Sequence, residues 1–298
     1  VDANKIDNAT VKVLEDNTSV ITFKSKKDAE NYADKTNGVY FNDSITIQDA
    51  ENETISTEEN SETNESSEVT YDNSNTTNND SSSEKHSELL DYLQSQDYGK
   101  NDVTVAVIDS GITVDSNTKN VFNDRVLSGV NYSATKSAET NGNEATDDNG
   151  HGTSISYIIA QSTSDNVKLL PIKVIDSAGK GTLLSLYQGV KYAIEQNVDV
   201  INISLSTAST HSELIKEAID EANAKGIIVV AAAGNYGTNV KYYTPAKFDN
   251  VITVASVNEQ LQHSNFSNYG DAIDYATIGE NVYTESYNGA DNRNGTSY

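Results

Sequence analysis

The sequence predicts an α/β fold, a parallel sheet flanked by helices, over residues 86–298. Five almost continuous runs of Val, Ile and Ala have strand length and lie at 103–108, 167–175, 200–205, 227–233 and 251–257. Strands that are apolar on both faces are typical of a parallel sheet covered by helices. Apolar residues at helical spacing fall between these runs, at 184–194 and 214–222. Repeated strand, helix, strand units indicate α/β architecture.

A small α+β module is predicted for residues 1–50. Its β-rich runs and its helix-like stretch alternate along the chain, as strands at 11–14, 19–23 and 44–47 and a helix at 25–33. Residues 51–85 are almost wholly Glu, Asp, Asn, Ser and Thr. Burial cannot offset the entropy of ordering such a segment, so we predict an acidic, disordered linker there.

Composition excludes several classes of partner. The formal net charge is −25 over 298 residues, which repels the phosphates of nucleic acids and anionic lipids. The chain has no cysteine, so it has no disulfide framework and no thiolate site. No run of eighteen apolar residues is present, so these residues are not expected to hold a membrane segment.

Four side chains of catalytic type lie in short motifs. Asp109 follows the apolar run 103–108, at the sheet edge where open α/β folds bind ligands. His151 lies between two glycines at a predicted helix start, which disfavours an imidazolium unless a carboxylate stabilises it. Asn235 ends another apolar run, and Ser297 lies in a turn of small residues. Each motif alone is also common in structural turns and caps.

A serine hydroxyl becomes a strong nucleophile when a neighbouring base removes its proton. His151 is the candidate base, and Asp109 is the candidate carboxylate that would hold its tautomer and stabilise its cation. We predict surface or structural roles for the remaining histidines, His86, His211 and His263.

The four motifs, in the order Asp, His, Asn, Ser, resemble the subtilisin family of serine proteases (subtilases). Further matches in the same order are Lys173-Val174-Ile175, Asn202-Ile203-Ser204-Leu205-Ser206, Tyr243-Thr244-Pro245-Ala246 and Phe266-Ser267-Asn268-Tyr269-Gly270. The resemblance spans residues 88–298.

The resemblance implies a serine-type endopeptidase that works through an acyl-enzyme. Ser297 would be the nucleophile, His151 the general base and Asp109 the residue that orients the imidazole. Asn235 and the backbone amide of Ser297 would hold the oxyanion. Substrate would bind as an extended strand between two edge segments, Gly179, Lys180 and Gly181 on one side and Ser204, Leu205 and Ser206 on the other.

The resemblance also implies a secreted zymogen whose partners are peptide or protein substrates and its own propeptide, the module 1–50, acting as an intramolecular inhibitor. We expect maturation within 81–88. The sequence stops one residue after Ser297, so we expect a catalytic domain truncated just after the nucleophile and inactive as a fragment. No cofactor is needed for the chemistry. Structural Ca²⁺ is a family trait, and residues 144–149 offer acidic oxygens, although such a loop is more often only solvated.

Two other functions stay open. A dedicated peptidase that removes leader peptides from a bacteriocin (a lantibiotic) would cleave a strict sequence, whereas a general endopeptidase would digest casein. An inactive subtilisin-like binding scaffold would have no need of Asp109, His151, Asn235 and Ser297 together.

Overall fold

The computed structural model describes residues 9–13, 19–23, 25, 29, 44–47, 92, 102–133, 145–209 and 212–298. Contacts divide the chain into two units, Val1–Phe41 and Asn42–Tyr298. The predicted module 1–50 straddles this division. The predicted linker 51–85 and the expected maturation region 81–88 lie outside the described residues.

The first unit contains a two-stranded antiparallel sheet. Strands β1 (Ala9–Val13) and β2 (Ser19–Phe23) pair with Val11 opposite Ile21. Both strands were predicted from their β-rich composition. Most of the helix predicted at 25–33 lies outside the described residues.

A seven-stranded parallel sheet forms the centre of the second unit. Its strands are, in chain order, β4 (Val103–Asp109), β5 (Val130–Asn131), β6 (Val167–Lys173), β8 (Val200–Ile203), β9 (Ile228–Ala232), β10 (Ile252–Val257) and β11 (Tyr275–Ile278). Five of them match the five predicted apolar runs. The short β5 and the more exposed β11 lack a continuous apolar run, so the sequence pattern did not reveal them.

The strand order places a ligand-binding edge beside β4. The order is β11-β10-β9-β8-β4-β6-β5, and every neighbouring pair is parallel. The chain therefore proceeds from β4 to one side of the sheet and then crosses to β8 on the other. Open α/β sheets bind ligands at such a reversal, outside the carboxyl ends of the strands.

Both faces of the sheet are buried, as the continuous apolar runs predicted. Along β4, Ala106 and Ile108 pack into one core cluster, while Val105 and Val107 pack into another on the opposite face. Full burial of an aliphatic side chain contributes about 1.5–3 kcal/mol, so the two clusters hold the carboxyl edge of the sheet rigidly.

Within residues 102–133, 145–209 and 212–298 the α-helices are α1 (Lys119–Phe122), α2 (His151–Gln161), α3 (Leu183–Glu195) and α4 (Glu213–Ala224), and a short 3-10 helix spans Val240–Tyr242. The predicted stripes at 184–194 and 214–222 correspond to α3 and α4. Both pack on one face of the sheet, while α1 and α2 cover the other. A reciprocal capping box between Thr182 and Ser185 starts α3.

Two smaller sheets complete the unit. Strand β3 (Ser44–Thr46) pairs antiparallel with β7 (Lys180–Thr182), and β12 (Val282–Ser286) pairs antiparallel with β13 (Gly289–Arg293). β3 was predicted as a strand of the N-terminal module, but its partner belongs to the α/β domain. The pattern of a strand does not specify what it pairs with.

Candidate active site

Asp109 and His151 form a buried pair at the carboxyl edge of the sheet. Asp109 is the last residue of β4, and His151 is the first residue of α2, as its glycine-flanked motif predicted. His151 Nδ1 lies 2.8 Å from Asp109 Oδ1, and the two side chains are 2% and 0% exposed. Asp109 Oδ1 also accepts a hydrogen bond from the backbone N–H of Ser110 at 2.7 Å. The carboxylate can therefore orient the imidazole and stabilise its cation.

The close approach of β4 and α2 requires glycine at position 152. A Cβ at Gly152 would lie 2.3 Å from the carbonyl oxygen of Gly111 and 3.2 Å from Asp109 Cβ. Gly111 has φ +108°, which lets the chain turn directly after Asp109. The glycines around His151 thus allow the histidine helix to approach the aspartate strand.

Asp147 fixes the loop that leads into His151. Its Oδ1 accepts from Ser110 Oγ at 2.8 Å, Asn149 N at 3.0 Å and Gly150 N at 2.9 Å. Its Oδ2 accepts from Thr153 N at 2.9 Å and Thr153 Oγ1 at 2.6 Å. Hydrogen bonds to a buried carboxylate are about twice as strong as neutral ones, so Asp147 fastens the start of α2 to the end of β4.

These contacts bear on whether the acidic residues 144–149 could hold the structural Ca²⁺ that the resemblance allows. Both carboxylate oxygens of Asp147 already accept hydrogen bonds, and Asp148 Oδ1 lies 2.7 Å from Lys173 Nζ. A lysine ammonium takes the position that a cation would need, so this pair does not suit Ca²⁺. Within 102–133, 145–209 and 212–298, no cluster of three or more His, Asp or Glu side chains is arranged to hold a metal. Structural calcium stays a prediction.

Ser297 and Asn235 line one pocket near the carboxyl ends of β8 and β9. The other lining residues are Ser204, Leu205, Ser206, Ala232, Gly234 and Thr296. Ser297 Oγ donates to the carbonyl oxygen of Ser204 at 3.4 Å, and the next ring, Tyr298, packs edge-on against His151 with centroids 5.6 Å apart. The predicted nucleophile, the predicted oxyanion donor and one predicted substrate segment therefore meet in one place.

Thr296 orients the Asn235 side chain. Asn235 Oδ1 accepts from Thr296 N at 2.9 Å and Thr296 Oγ1 at 2.8 Å, and Thr296 Oγ1 accepts from Gly234 N at 3.0 Å. A carbonyl oxygen is needed to accept these bonds, which fixes the amide orientation and turns Nδ2 towards Gly295. An amide held in this way is suited to donate to a developing negative charge.

Two tyrosines stand beside Asn235. The rings of Tyr236 and Tyr243 stack, with centroids 4.7 Å apart and an interplanar angle of 21°. Burial raises the pKa of Tyr243, and the neighbouring Tyr236 raises it further. Tyr243 therefore stays neutral across the pH range in which a histidine base works.

The other predicted substrate segment, residues 179–181, pairs with β3, a strand of the same chain that precedes the parallel sheet in sequence. Ile45 lies opposite Gly181 and Thr46 opposite Lys180 in the β3–β7 ladder, and Ile47 N donates to Gly179 O at 3.0 Å. The Ile45 side chain is 1% exposed and packs in the same core cluster as Leu205. Residues 179–181 thus bind an extended strand by main-chain pairing, as a substrate segment would.

The sequence did not predict the hydrogen bonds of Asp147, Thr296 and Lys173. Asp147 lies in the acidic loop before His151, Thr296 lies in a turn of small residues, and Lys173 lies in one of the family motifs. The available signal was position, because Asp147 precedes a glycine-flanked histidine and Lys173 ends a buried strand, where an unpaired charge is costly.

None of the helices in the described part of the chain is long and apolar enough to cross a membrane.

Several known proteins are similar in sequence to this chain. The chain is 36% identical over 219 residues to Subtilisin DY from Bacillus licheniformis, covering 70% of this chain and 76% of that protein. It is 35% identical over 201 residues to Subtilisin E from Bacillus subtilis (strain 168), covering 64% of this chain and 50% of that one. The minor extracellular protease Epr of the same strain is 33% identical over 197 residues, which is 63% of this chain but 28% of Epr.

A solved structure and a family profile complete the comparison. A cold adapted subtilisin-like serine proteinase superposes with a TM-score of 0.56 and 27% identity, over 68% of this chain and 73% of that chain. The profile of the Subtilase family matches residues 100–298, the region that holds the parallel sheet and all four candidate catalytic residues. The chain belongs to the subtilase family of serine endopeptidases.

Proposed function

We propose that the whole protein is a secreted serine endopeptidase, made as a zymogen, that hydrolyses peptide bonds with Asp109, His151 and Ser297. The observation that carries the proposal is the buried 2.8 Å contact between His151 Nδ1 and Asp109 Oδ1, which leaves the opposite ring nitrogen as the base. Ser297 and Asn235 share the adjacent pocket. A relative named as an extracellular protease supports secretion.

In the proposed reaction, Ser297 Oγ attacks the carbonyl carbon of the scissile peptide and its proton passes to His151 Nε2. For this step the hydroxyl turns from Ser204 O towards the imidazole. Asn235 Nδ2 and the Ser297 backbone amide donate to the oxyanion. Collapse of the tetrahedral intermediate breaks the C–N bond as His151 protonates the leaving amine. Water then attacks the acyl-enzyme while His151 takes its proton, and the Ser297 oxygen leaves as it receives that proton from His151.

The imidazolium formed in this reaction lies at the N-terminus of α2, where the helix dipole disfavours a positive charge. Asp109 offsets this effect because its carboxylate is buried against Nδ1. The pair therefore lets His151 cycle between neutral and charged forms while the ring stays in place.

The β3–β7 pairing supports the zymogen part of the proposal. A segment that pairs with residues 179–181 and buries Ile45 uses the contacts that an extended substrate would make. While β3 is bound, a second strand cannot use the same backbone groups. The N-terminal segment would thus act as an intramolecular inhibitor until it is cut away.

The activity is tested with a fluorophosphonate probe on enzyme made from the full-length precursor, with Ser297→Ala as the matched control. We expect the probe to label Ser297 in the parent only, and N-terminal sequencing to show that the mature chain has lost β3. Absence of label on a correctly folded protein would refute the hypothesis that Ser297 is a catalytic nucleophile and would favour a binding scaffold. Cleavage of a single sequence in a peptide library, without casein digestion, would instead favour the leader-peptidase alternative.

The zymogen part has its own test. Ile45→Ala removes buried aliphatic contacts, which costs about 2–5 kcal/mol. The equilibrium constant for binding of the β3 segment should therefore fall by at least about 30-fold. We expect the uncut precursor to be labelled faster by a similar factor. Thr22→Ala, an exposed change on β2, is the control. Equal labelling rates for the two precursors would refute the inhibitory role.

A further inference from the structure

Lys173 is a fully buried lysine beside the candidate catalytic pair. It is the last residue of β6, lies opposite Asp109 in the β4–β6 ladder and is 2% exposed. Burying an ammonium group costs several kcal/mol unless its protons are satisfied. Lys173 Nζ donates at 2.7 Å to each of three oxygens, Ser110 O, Ile175 O and Asp148 Oδ1. The three protons of the ammonium group therefore have three acceptors.

These acceptors belong to three different parts of the site. Ser110 follows Asp109 and donates its backbone N–H to the Asp109 carboxylate. Asp148 lies in the loop that enters His151. Ile175 precedes the turn into β7, the strand that pairs with an extended segment. A single ammonium group thus joins the aspartate strand, the histidine loop and the substrate strand.

We propose that Lys173 is a positioning residue of this enzyme, one that holds these three parts together and contributes positive charge near His151. The proposal rests on the proposed endopeptidase function. Lys173 is linked to the catalytic pair through Ser110, which bonds to Asp109, and through Asp148 in the loop before His151, so it acts on the reaction through other groups rather than on the substrate.

The charge contribution has a defined direction. Titratable and charged groups from several elements surround His151. Asp109 comes from β4, Lys173 from β6, and Asp147 and Asp148 from the loop that precedes His151. Tyr298 packs against the ring, and the groups where β12 packs on α2 are Tyr157, Tyr283 and Glu285. The Lys173 ammonium opposes protonation of the imidazole, and the Asp148 carboxylate favours it. The acid limb of the kcat/KM profile should therefore move to higher pH when Lys173 loses its charge and to lower pH when Asp148 does.

The first test compares Lys173→Met with Lys168→Met in mature enzyme from the full-length precursor. Lys168 lies near the other end of the same strand and donates to Asp124 O at 3.5 Å, so its substitution is a matched loss of one charge. We expect Lys173→Met to lower kcat by about 10- to 100-fold, because small misplacements of catalytic groups have effects of that order. Its acid limb should rise by a few tenths of a pH unit. Lys168→Met should match the parent within about twofold.

The second test uses Asp148, which is 51% exposed and therefore tolerant of substitution. Asp148→Asn keeps an oxygen that can accept from Lys173 Nζ, whereas Asp148→Ala removes the acceptor. We expect the Asn variant to stay within about threefold of the parent with its acid limb at lower pH, and the Ala variant to lose about tenfold in kcat. This pair decides the question even if Lys173→Met does not fold.

Two results would overturn the proposal. The first is an identical pH profile and kcat for the Lys173 and Lys168 variants. The second is that Asp148→Asn and Asp148→Ala are indistinguishable and neither moves the acid limb. Both require an active parent enzyme, so a parent that the fluorophosphonate probe does not label would instead contradict the proposed function.

Discussion

The hydrogen bonds of Asp147 give the sharpest stability prediction. In Asp147→Asn one carboxylate oxygen is replaced by an NH₂ group, which cannot accept. Whichever oxygen is replaced, the hydrogen-bond donors that face it lose their acceptor. The less costly orientation turns the NH₂ group towards Thr153, because one backbone N–H faces Oδ2 there, whereas the two backbone N–H groups of Asn149 and Gly150 face Oδ1. The variant therefore has one buried N–H without its acceptor and loses the charge on the remaining bonds from Ser110, Asn149 and Gly150.

The size of the expected loss in the free energy of unfolding follows from these contacts. A buried donor left unsatisfied costs about 1–3 kcal/mol, and a hydrogen bond to a charged group exceeds a neutral one by about 1 kcal/mol. With three bonds weakened, and allowing for relaxation of the loop, Asp147→Asn should lower the free energy of unfolding by about 3–5 kcal/mol. The neighbouring Asp148→Asn, whose side chain is half exposed, should cost under about 1 kcal/mol.

The assay is denaturant unfolding in a Ser297→Ala background, which prevents self-digestion during the measurement. Circular dichroism and fluorescence should give the same midpoint if unfolding is two-state. A loss below about 1 kcal/mol for Asp147→Asn, or equal losses for Asp147→Asn and Asp148→Asn, would refute the view that Asp147 fastens the histidine loop.

Three further predictions follow from other contacts. Thr296→Val removes the hydroxyl that orients the oxyanion amide and should lower kcat by about tenfold with little change in KM, whereas Thr296→Ser should not; equal kinetics would contradict the orientation role. Gly152→Ala places a Cβ 2.3 Å from a backbone oxygen and should cost at least about 2 kcal/mol in unfolding experiments; unchanged stability would show that α2 can shift freely. Glu221 has its pKa lowered, first by the hydrogen bond from Lys191, so it stabilises the fold above the ordinary glutamate pKa and loses this effect as the pH falls through the lower folded value. Glu221→Gln should therefore destabilise by up to about 1 kcal/mol at neutral pH and by progressively less as the pH falls below the ordinary glutamate pKa, and a loss independent of pH would contradict this reasoning.

Local patterns in the sequence were sufficient for five of the seven strands of the parallel sheet and for the helices α2, α3 and α4. Strands buried on both faces have to be apolar at nearly every position, and β4, with Val105 and Ile108 in opposite clusters, shows why such runs are reliable. The candidate catalytic residues were also predicted from the sequence, because each follows an apolar run or a glycine turn. Their order along the chain matched one family.

Only the tertiary structure decided how these residues are held. The pairing of β3 with β7 joins positions far apart in the chain, and no periodicity encodes such a partner. The same holds for Asp147, Thr296 and Lys173, because a polar side chain carries no local sign of which distant donors or acceptors will surround it. Hydrophobic periodicity is a property of neighbours in sequence, whereas the satisfaction of a buried charge depends on neighbours in space, and these exist only once the chain has folded.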